Sequence, residues 1–213
     1  MKCRGKNTRE KIVREYEIVP KLHTVLLNGQ TKVSDADAII KNEYYIFELT
    51  RKCDGKKEFI QCGMGAARDF LKLTRNSGLP IFNPLNLDIK LSNKNDVEEK
   101  DGQRIKEKWN PIARQLYNAI MWIIILWDIK PDTPVFFIKD RVSNKMIDKP
   151  LCRDIKSINT IISKLGKGKT LTQYIENLKS ENNIKESLSD FSLLIAELEL
   201  IEDSSGRKIE SYF

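Results

Sequence analysis

Two strand-like runs on either side of Asn42-Glu43 constrain the fold of this chain more than any other feature of its sequence. In residues 33–41 and 44–52 apolar and polar side chains alternate, which is the pattern of half-buried β-strands. A two-residue turn at 42–43 would pair the runs as an antiparallel hairpin with one apolar face. The sequence therefore predicts a sheet that packs under helices.

The other face of the predicted hairpin is acidic. Its register places Asp37 opposite Glu48 and Asp35 opposite Thr50, with Lys52 on the same face. Like charges on paired strands repel each other, so water, a lysine or a metal ion must make the arrangement tolerable. Cross-strand Cβ atoms lie about 5 Å apart, and two carboxylates at that spacing bind one Mg²⁺ through their oxygens. The alternative is a solvated acidic face without a function.

Asp37 lies on the first run, and Glu48-Leu49-Thr50 lies on the next. Together they resemble the core motif of the PD-(D/E)XK nuclease superfamily. That superfamily has an acidic residue on one strand, (D/E)-x-K on the next, and a helix behind them, here residues 66–75. Thr50 occupies the position of the lysine, so either Lys52 replaces that lysine or the chemistry has been lost. The resemblance implies a Mg²⁺-dependent DNA endonuclease of restriction type, with metal ligands Asp35, Asp37 and Glu48 and catalytic residues Asp37, Glu48 and Lys52.

Helix and strand patterns alternate over residues 7–140, which favours an α/β domain with a mixed sheet and flanking helices. Asn7 and Glu10 are spaced as a capping box, and Asn110-Pro111 is a typical helix start. The other predicted elements are a helix at 8–18 that ends near Pro20, strands at 23–27 and 56–62, a helix at 66–75, a mobile loop at 90–104, a buried helix at 111–127 and a buried strand at 134–139.

The last part of the chain is similar to a winged-helix domain. Apolar stripes at helical spacing occupy 158–165, 171–178 and 188–201, and Ser204-Ser205-Gly206 is typical of a hairpin turn. Three helices followed by a hairpin predict a small, mainly helical winged-helix-like domain at 151–213 after an α/β domain at 1–150. Winged helices contact DNA, and the cations available for such contacts are Lys185, Arg207 and Lys208.

Charge and composition limit the partners. The net charge is +7 and the isoelectric point about 9.1, which favours an anionic partner. Residues 159–213 hold seven Lys and Arg against nine Asp and Glu, so the positive excess lies earlier in the chain. This acidic balance leaves homodimerisation through the tail as an alternative to DNA contact. The apolar run 119–127 is too short to cross a bilayer, and we expect no membrane partner.

The cysteines and the first residues predict a cytoplasmic setting. The four cysteines form no CxxC pair, and the chain begins without an apolar stretch of the signal-peptide type. The first hypothesis is therefore a Mg²⁺-dependent endonuclease that cleaves double-stranded DNA, with the tail assisting recognition. The second is a non-catalytic nucleic-acid-binding or regulatory protein with a degenerate nuclease-like fold.

Overall fold

A computed structural model describes residues 1–86, 109–202 and 206–213, and these form two compact units. The first unit comprises 1–84 and 129–136, and the second comprises 85–128 and 137–213. Both helices and a sheet are present, so the predicted α/β class is confirmed. The division of the chain at residue 150 into two domains stays a prediction. The loop predicted at 90–104 lies outside the described residues.

The first unit contains a three-stranded antiparallel sheet in the order β1-β4-β5, with β4 in the centre. The short strands β2 and β3 pair with each other. A turn at 53–55 joins β4 to β5, and Gly55 in this turn has a positive φ of 70°. The elements of this unit are α1 (Lys6–Glu15), β1 (Tyr16–Val25), β2 (Lys32–Val33), β3 (Ile39–Ile40), β4 (Glu43–Arg51), β5 (Lys57–Gly63) and α2 (Met64–Thr74).

The core of the first unit lies between the sheet and helices α1 and α2. Alternate side chains of β4, namely Tyr45, Phe47 and Leu49, share one face and are buried with Ile12 of α1 and Phe70 of α2. The rings of Phe47 and Phe70 lie 5.5 Å apart. The predicted apolar face of 44–52 and the helix behind it are therefore confirmed.

The start of the chain differs from the prediction. Helix α1 begins after Gly5, which makes no side-chain cap, so the capping box of Asn7 and Glu10 is wrong. The helix also ends at Glu15, and Pro20 lies inside β1. Proline is tolerated there because β1 is an edge strand: within the described residues, its side away from β4 has a single bridge, from Thr24 to Phe82.

The second unit is helical within the described residues. The predicted helix 111–127 is confirmed, and the Asn110 side chain accepts hydrogen bonds from the first free amides of α3. Helix α3 is apolar around most of its circumference and packs against α5 and α7. The helices are α3 (Pro111–Trp127), α4 (Pro134–Asn144, whose first turn belongs to the first unit), α5 (Cys152–Leu165), α6 (Leu171–Lys179), a 3-10 helix (Glu186–Leu188) and α7 (Ser192–Glu199).

The strand predicted at 134–139 is wrong, because these residues form the first half of α4. Pro134 at the first helical position has a φ suited to a helix. Val135, Ile138 and Val142 are buried at helical spacing, whereas Phe137 is 62% exposed. A short apolar run is compatible with either structure, and the burial pattern distinguishes them only after folding.

The tail retains part of its predicted pattern. The third predicted helix is divided into the 3-10 helix and α7, and the hairpin is represented by one bridge between Glu202 and Lys208. The winged-helix assignment stays a prediction. Buried Asn159 fixes the last residues, because its amide donates to Glu210 O and accepts from Tyr212 N at 2.8 and 2.7 Å.

None of the helices within the described parts of the chain combines the length and the apolar character that a membrane crossing requires.

The N-terminal cap of α6 generates a stability test. Thr170 Oγ1 accepts from Gln173 N, and Gln173 Oε1 accepts from Thr170 N, which is a complete capping box. We expect Thr170→Ala to lower the free energy of unfolding by about 1 kcal/mol in urea titrations. Thr172→Ala, two residues further along α6, is the matched control and should change it by a few tenths at most. Equal losses in both variants would contradict the capping role.

Candidate nucleic-acid interface

The predicted register of the acidic hairpin is wrong. Strand β4 pairs with β1 and β5, so Glu48 lies opposite Val19 on one side and Phe59 on the other. Asp37 lies in the turn between β2 and β3 and has a φ of 58°, in the left-handed region. Asp37 and Glu48 therefore do not form a cross-strand pair.

The reason is local turn chemistry at residues 34–38. Ser34 Oγ accepts a hydrogen bond from Ala36 N at 3.0 Å, and Asp37 N donates to Ser34 O at 3.0 Å. Ser34 N in turn donates to Ala38 O at 2.8 Å. Serine and aspartate favour turns because their short polar side chains bond to nearby backbone. The alternation of these residues predicts a strand, whereas in the structure they form a tight turn.

Asp35 and Asp37 each have partners of their own. Asp35 Oδ2 accepts from Gln61 N at 2.8 Å, while Asp35 N donates to Gln61 O, which attaches the turn to the edge of β5. Asp37 bonds to the Lys2 ammonium. This hydrogen bond holds the pKa of Asp37 below its ordinary value.

Glu48 lies on β4 between two lysines. Its carboxylate is 2.9 Å from Lys57 Nζ and 3.6 Å from Lys21 Nζ, and its side chain is 15% exposed. The two lysines thus neutralise this carboxylate. The sequence analysis predicted neither lysine as a partner of Glu48. Pairing β5 with β4 would have indicated Lys57, because it then lies opposite Thr50, on the same face of β4 as Glu48.

Lys52 acts on the backbone of α1. Its Nζ donates to Val13 O and Arg14 O, both at 3.1 Å, at the C-terminal end of the helix. Cations stabilise that end because the last carbonyls of a helix lack intrahelical donors. This contact engages Lys52 at the end of α1, and its catalytic role stays a prediction.

The three predicted metal ligands have three different sets of partners, and the Mg²⁺ site stays a prediction. Asp35 is bound to β5, Asp37 to Lys2 and Glu48 to two lysines. Within residues 1–86, 109–202 and 206–213, there is no group of three or more His, Cys, Asp or Glu side chains that could hold a metal ion.

Other polar groups that often serve in catalysis are also engaged. His23 Nδ1–H donates to Leu79 O at 2.7 Å, and Nε2 lies 2.5 Å from a carboxylate oxygen of Glu43. Both ring nitrogens are thus used by the fold. Burial raises the pKa of the Cys3 thiol to about 11 and also raises that of Cys62, so these thiols are protonated at neutral pH.

Exposed cations line the two helices of the first unit. Arg9 joins the helices through Asp69, with Nη2 and Nε at 2.6 and 2.9 Å from Oδ2. On α2 the exposed cations face away from the buried Ala66, Ala67 and Phe70. We call the exposed cations of both helices, together with Arg75 at the C-cap of α2, the basic helical surface, which comprises Lys6, Lys11, Arg14, Arg68, Lys72 and Arg75.

Part of this surface was detectable in the sequence. Residues 68, 72 and 75 are spaced four and three apart, which places them on one side of a helix. On α1, Glu10 and Glu15 lie 3.9 Å from Lys6 and Lys11. Exposed pairs of this kind contribute little, so they leave the lysines available to a polyanion.

The predicted contacts of the tail lie in the second unit. Lys185 precedes the 3-10 helix, and Arg207 and Lys208 are exposed on the segment that bridges back to Glu202. The adjacent α7 contains Glu197 and Glu199 and no Lys or Arg. The role of Lys185, Arg207 and Lys208 in binding nucleic acid stays a prediction.

Comparison with known proteins identifies one family. The family model described as "Uncharacterised conserved protein UCP028583" matches residues 1–209. The chain therefore belongs to this family. Neither the curated proteins nor the solved structures include a match to the chain.

The contact of Asp37 with Lys2 predicts a pH dependence. Because the folded pKa of Asp37 is depressed, its ionised form contributes stability above the unfolded pKa, and this contribution is lost as pH falls through the folded pKa. We expect Lys2→Gln to return the pKa of Asp37 toward its ordinary value in an NMR titration of the carboxyl carbon. Lys6→Gln, which removes another exposed cation nearby in sequence, should leave it depressed. An identical titration in wild type and Lys2→Gln would refute the assignment.

Proposed function

We propose that this member of the UCP028583 family is a non-catalytic nucleic-acid-binding protein that contacts the phosphate backbone of double-stranded DNA. The observation that supports this most directly is the basic helical surface on α1 and α2. Phosphate oxygens accept hydrogen bonds from Lys and Arg, and this contact supplies most of the affinity in sequence-independent binding.

The distribution of charge supports the same surface. Residues 1–84 hold 16 Lys and Arg against 10 Asp and Glu, an excess of six out of the net +7 of the whole chain. Ion pairs such as those of Asp37 with Lys2 and Glu48 with Lys57 remove one charge of each sign, so the excess of six remains. The first unit therefore offers positive potential to a polyanion.

The contacts of the predicted site residues support a non-catalytic function. The nuclease resemblance requires Asp37 and Glu48 on facing strands, and the observed ladder pairs Glu48 with Val19 and Phe59. A winged-helix-like tail that adds contacts from Lys185, Arg207 and Lys208, or that forms a homodimer, is a further part of the proposal.

The Mg²⁺-dependent DNA endonuclease remains a second candidate because of one contact. The resemblance places a lysine two residues after the acid, where this chain has Thr50, and the Lys57 ammonium lies 2.9 Å from Glu48 across the strands. A cation is therefore present beside the motif carboxylate, although the metal ligands proposed from sequence are not gathered.

Charge neutralisation on α2 tests the binding proposal. We expect Arg68→Gln/Lys72→Gln/Arg75→Gln to weaken binding to a duplex of arbitrary sequence by about 10- to 100-fold at 0.1 M salt. The slope of log K against log salt should also fall by roughly 2 to 3, because three phosphate contacts are lost. Fluorescence anisotropy at several salt concentrations measures both quantities.

The matched control removes three exposed cations from other elements. Lys41→Gln/Arg153→Gln/Lys164→Gln makes the same change in net charge, and should keep most of the affinity. If both triple variants lose affinity equally, net charge rather than the basic helical surface is responsible. No duplex binding by the wild type would overturn the proposed function.

Incubation with plasmid DNA separates the two candidates. The binding proposal predicts that the wild type with Mg²⁺ leaves supercoiled plasmid intact, with the same result for Glu48→Ala. Cutting by the wild type that is lost in Glu48→Ala would favour the endonuclease and overturn the non-catalytic proposal. Agarose gels after extended incubation provide the readout.

A further inference from the structure

A cavity of about 130 Å³ lies in the second unit among α3, α4 and the start of α5. This space is large enough for several water molecules, so it also suits a small organic molecule. Its wall contains apolar side chains, among them Ala113, Val142 and Leu151, and a polar end with Arg141 and Lys145. The cavity is distinct from the basic helical surface, which belongs to the first unit.

The polar end is organised by a buried carboxylate. Asp154 is 3% exposed, and both its oxygens accept from Arg141, Oδ2 from Nε at 2.9 Å and Oδ1 from Nη2 at 2.7 Å. This two-bond contact fixes the plane and orientation of the guanidinium. Within the described residues, Nη1 of Arg141 makes no hydrogen bond and is left as a donor.

The lysines of the cavity differ in their contacts. Lys149 is paired with Glu197 at 2.8 Å, and this hydrogen bond raises the pKa of Lys149. Lys145 is exposed, and its ammonium makes no hydrogen bond or ion pair within the parts of the chain that the structure describes. The uncommitted donors at the polar end are therefore Lys145 Nζ and Arg141 Nη1.

The balance of charge indicates the charge of a ligand. The lining contains three cations, Arg141, Lys145 and Lys149, against two acids, Asp148 and Asp154. Since Lys149 is also neutralised by Glu197, there is no large positive excess. A monoanion satisfies the two uncommitted donors, whereas a dianion would be opposed by Asp148.

We propose that this cavity binds a small aliphatic monocarboxylate, with a short carbon chain whose size the volume limits. Its carboxylate accepts hydrogen bonds from Arg141 Nη1 and Lys145 Nζ, which suits the guanidinium and ammonium groups. Its chain packs against Val142 and Leu151, because apolar surface gains free energy when it leaves water. The buried contact with Asp154 holds Arg141 in place before the ligand arrives.

NMR titration of the full chain with sodium butyrate tests this site. We expect saturable amide shifts at Ala113, Val142, Lys145 and Leu151 in the millimolar range. Butan-1-ol, which has the same chain without the charge, and inorganic phosphate, which has charge without the chain, should each bind at least about fivefold more weakly. The absence of saturable shifts with butyrate would overturn the proposal, and phosphate binding as tightly as butyrate would overturn the ligand class.

Lys145→Gln identifies the donor without disturbing the fold, because Lys145 is exposed. We expect this variant to weaken butyrate binding about fivefold or more, while Lys164→Gln, an exposed lysine late in α5, leaves it unchanged. Arg141 is unsuitable for substitution, because its loss would leave Asp154 buried without a partner. Butyrate binding to Lys145→Gln with the wild-type affinity would overturn the proposed contact.

Discussion

Strand β4 is paired on both sides, and this pairing determines the arrangement of the first unit. Its hydrogen bonds to β1 and β5 leave two faces, of which one buries Tyr45, Phe47 and Leu49 under α1 and α2. Period-two alternation then assigns Glu48 and Thr50 to the opposite face. The helices that cover the apolar face are the same helices that present cations to solvent, so packing and surface charge derive from one constraint.

The roles of three carboxylates depend on their cationic partners and their burial. Asp37, Glu48 and Asp154 are each paired with a cation, and the consequence differs with burial and geometry. At the surface, the contact of Asp37 with Lys2 alters the titration of one group. Inside the second unit, the contact of Asp154 with Arg141 orders a guanidinium at the wall of a cavity. A carboxylate paired with a cation is therefore a simple surface pair in one place and holds a guanidinium at the wall of a cavity in another.

Polar anchors perform a comparable task in the helical unit. The Asn110 side chain caps the start of α3. The buried amide of Asn159 donates a hydrogen bond to Glu210 O and accepts one from Tyr212 N. Trp122 Nε1 also donates to Leu188 O at 2.8 Å from within the apolar helix α3. Buried polar atoms are costly unless bonded, and these contacts restrict the unit to one arrangement of its helices.

The sequence by itself determined the elements whose signals are local. The sequence predicted helix α3 from its Asn110-Pro111 start and the apolar face of β4 from its alternation, and both signals depend on residues within a few positions of each other. The excess of positive charge in the first part of the chain was equally visible. These features follow from backbone preferences and side-chain periodicity, which act over one or two turns.

Only the tertiary structure decided which segments became neighbours. The pairing of β4 with β1 rather than with residues 33–41 depends on hydrogen bonds between residues far apart in sequence, while Ser34 and Asp37 close a turn instead. Lys57 beside Glu48 and Arg141 beside Asp154 are contacts of the same kind. A one-dimensional pattern specifies which face a side chain shares, but partners across strands and helices are set by packing.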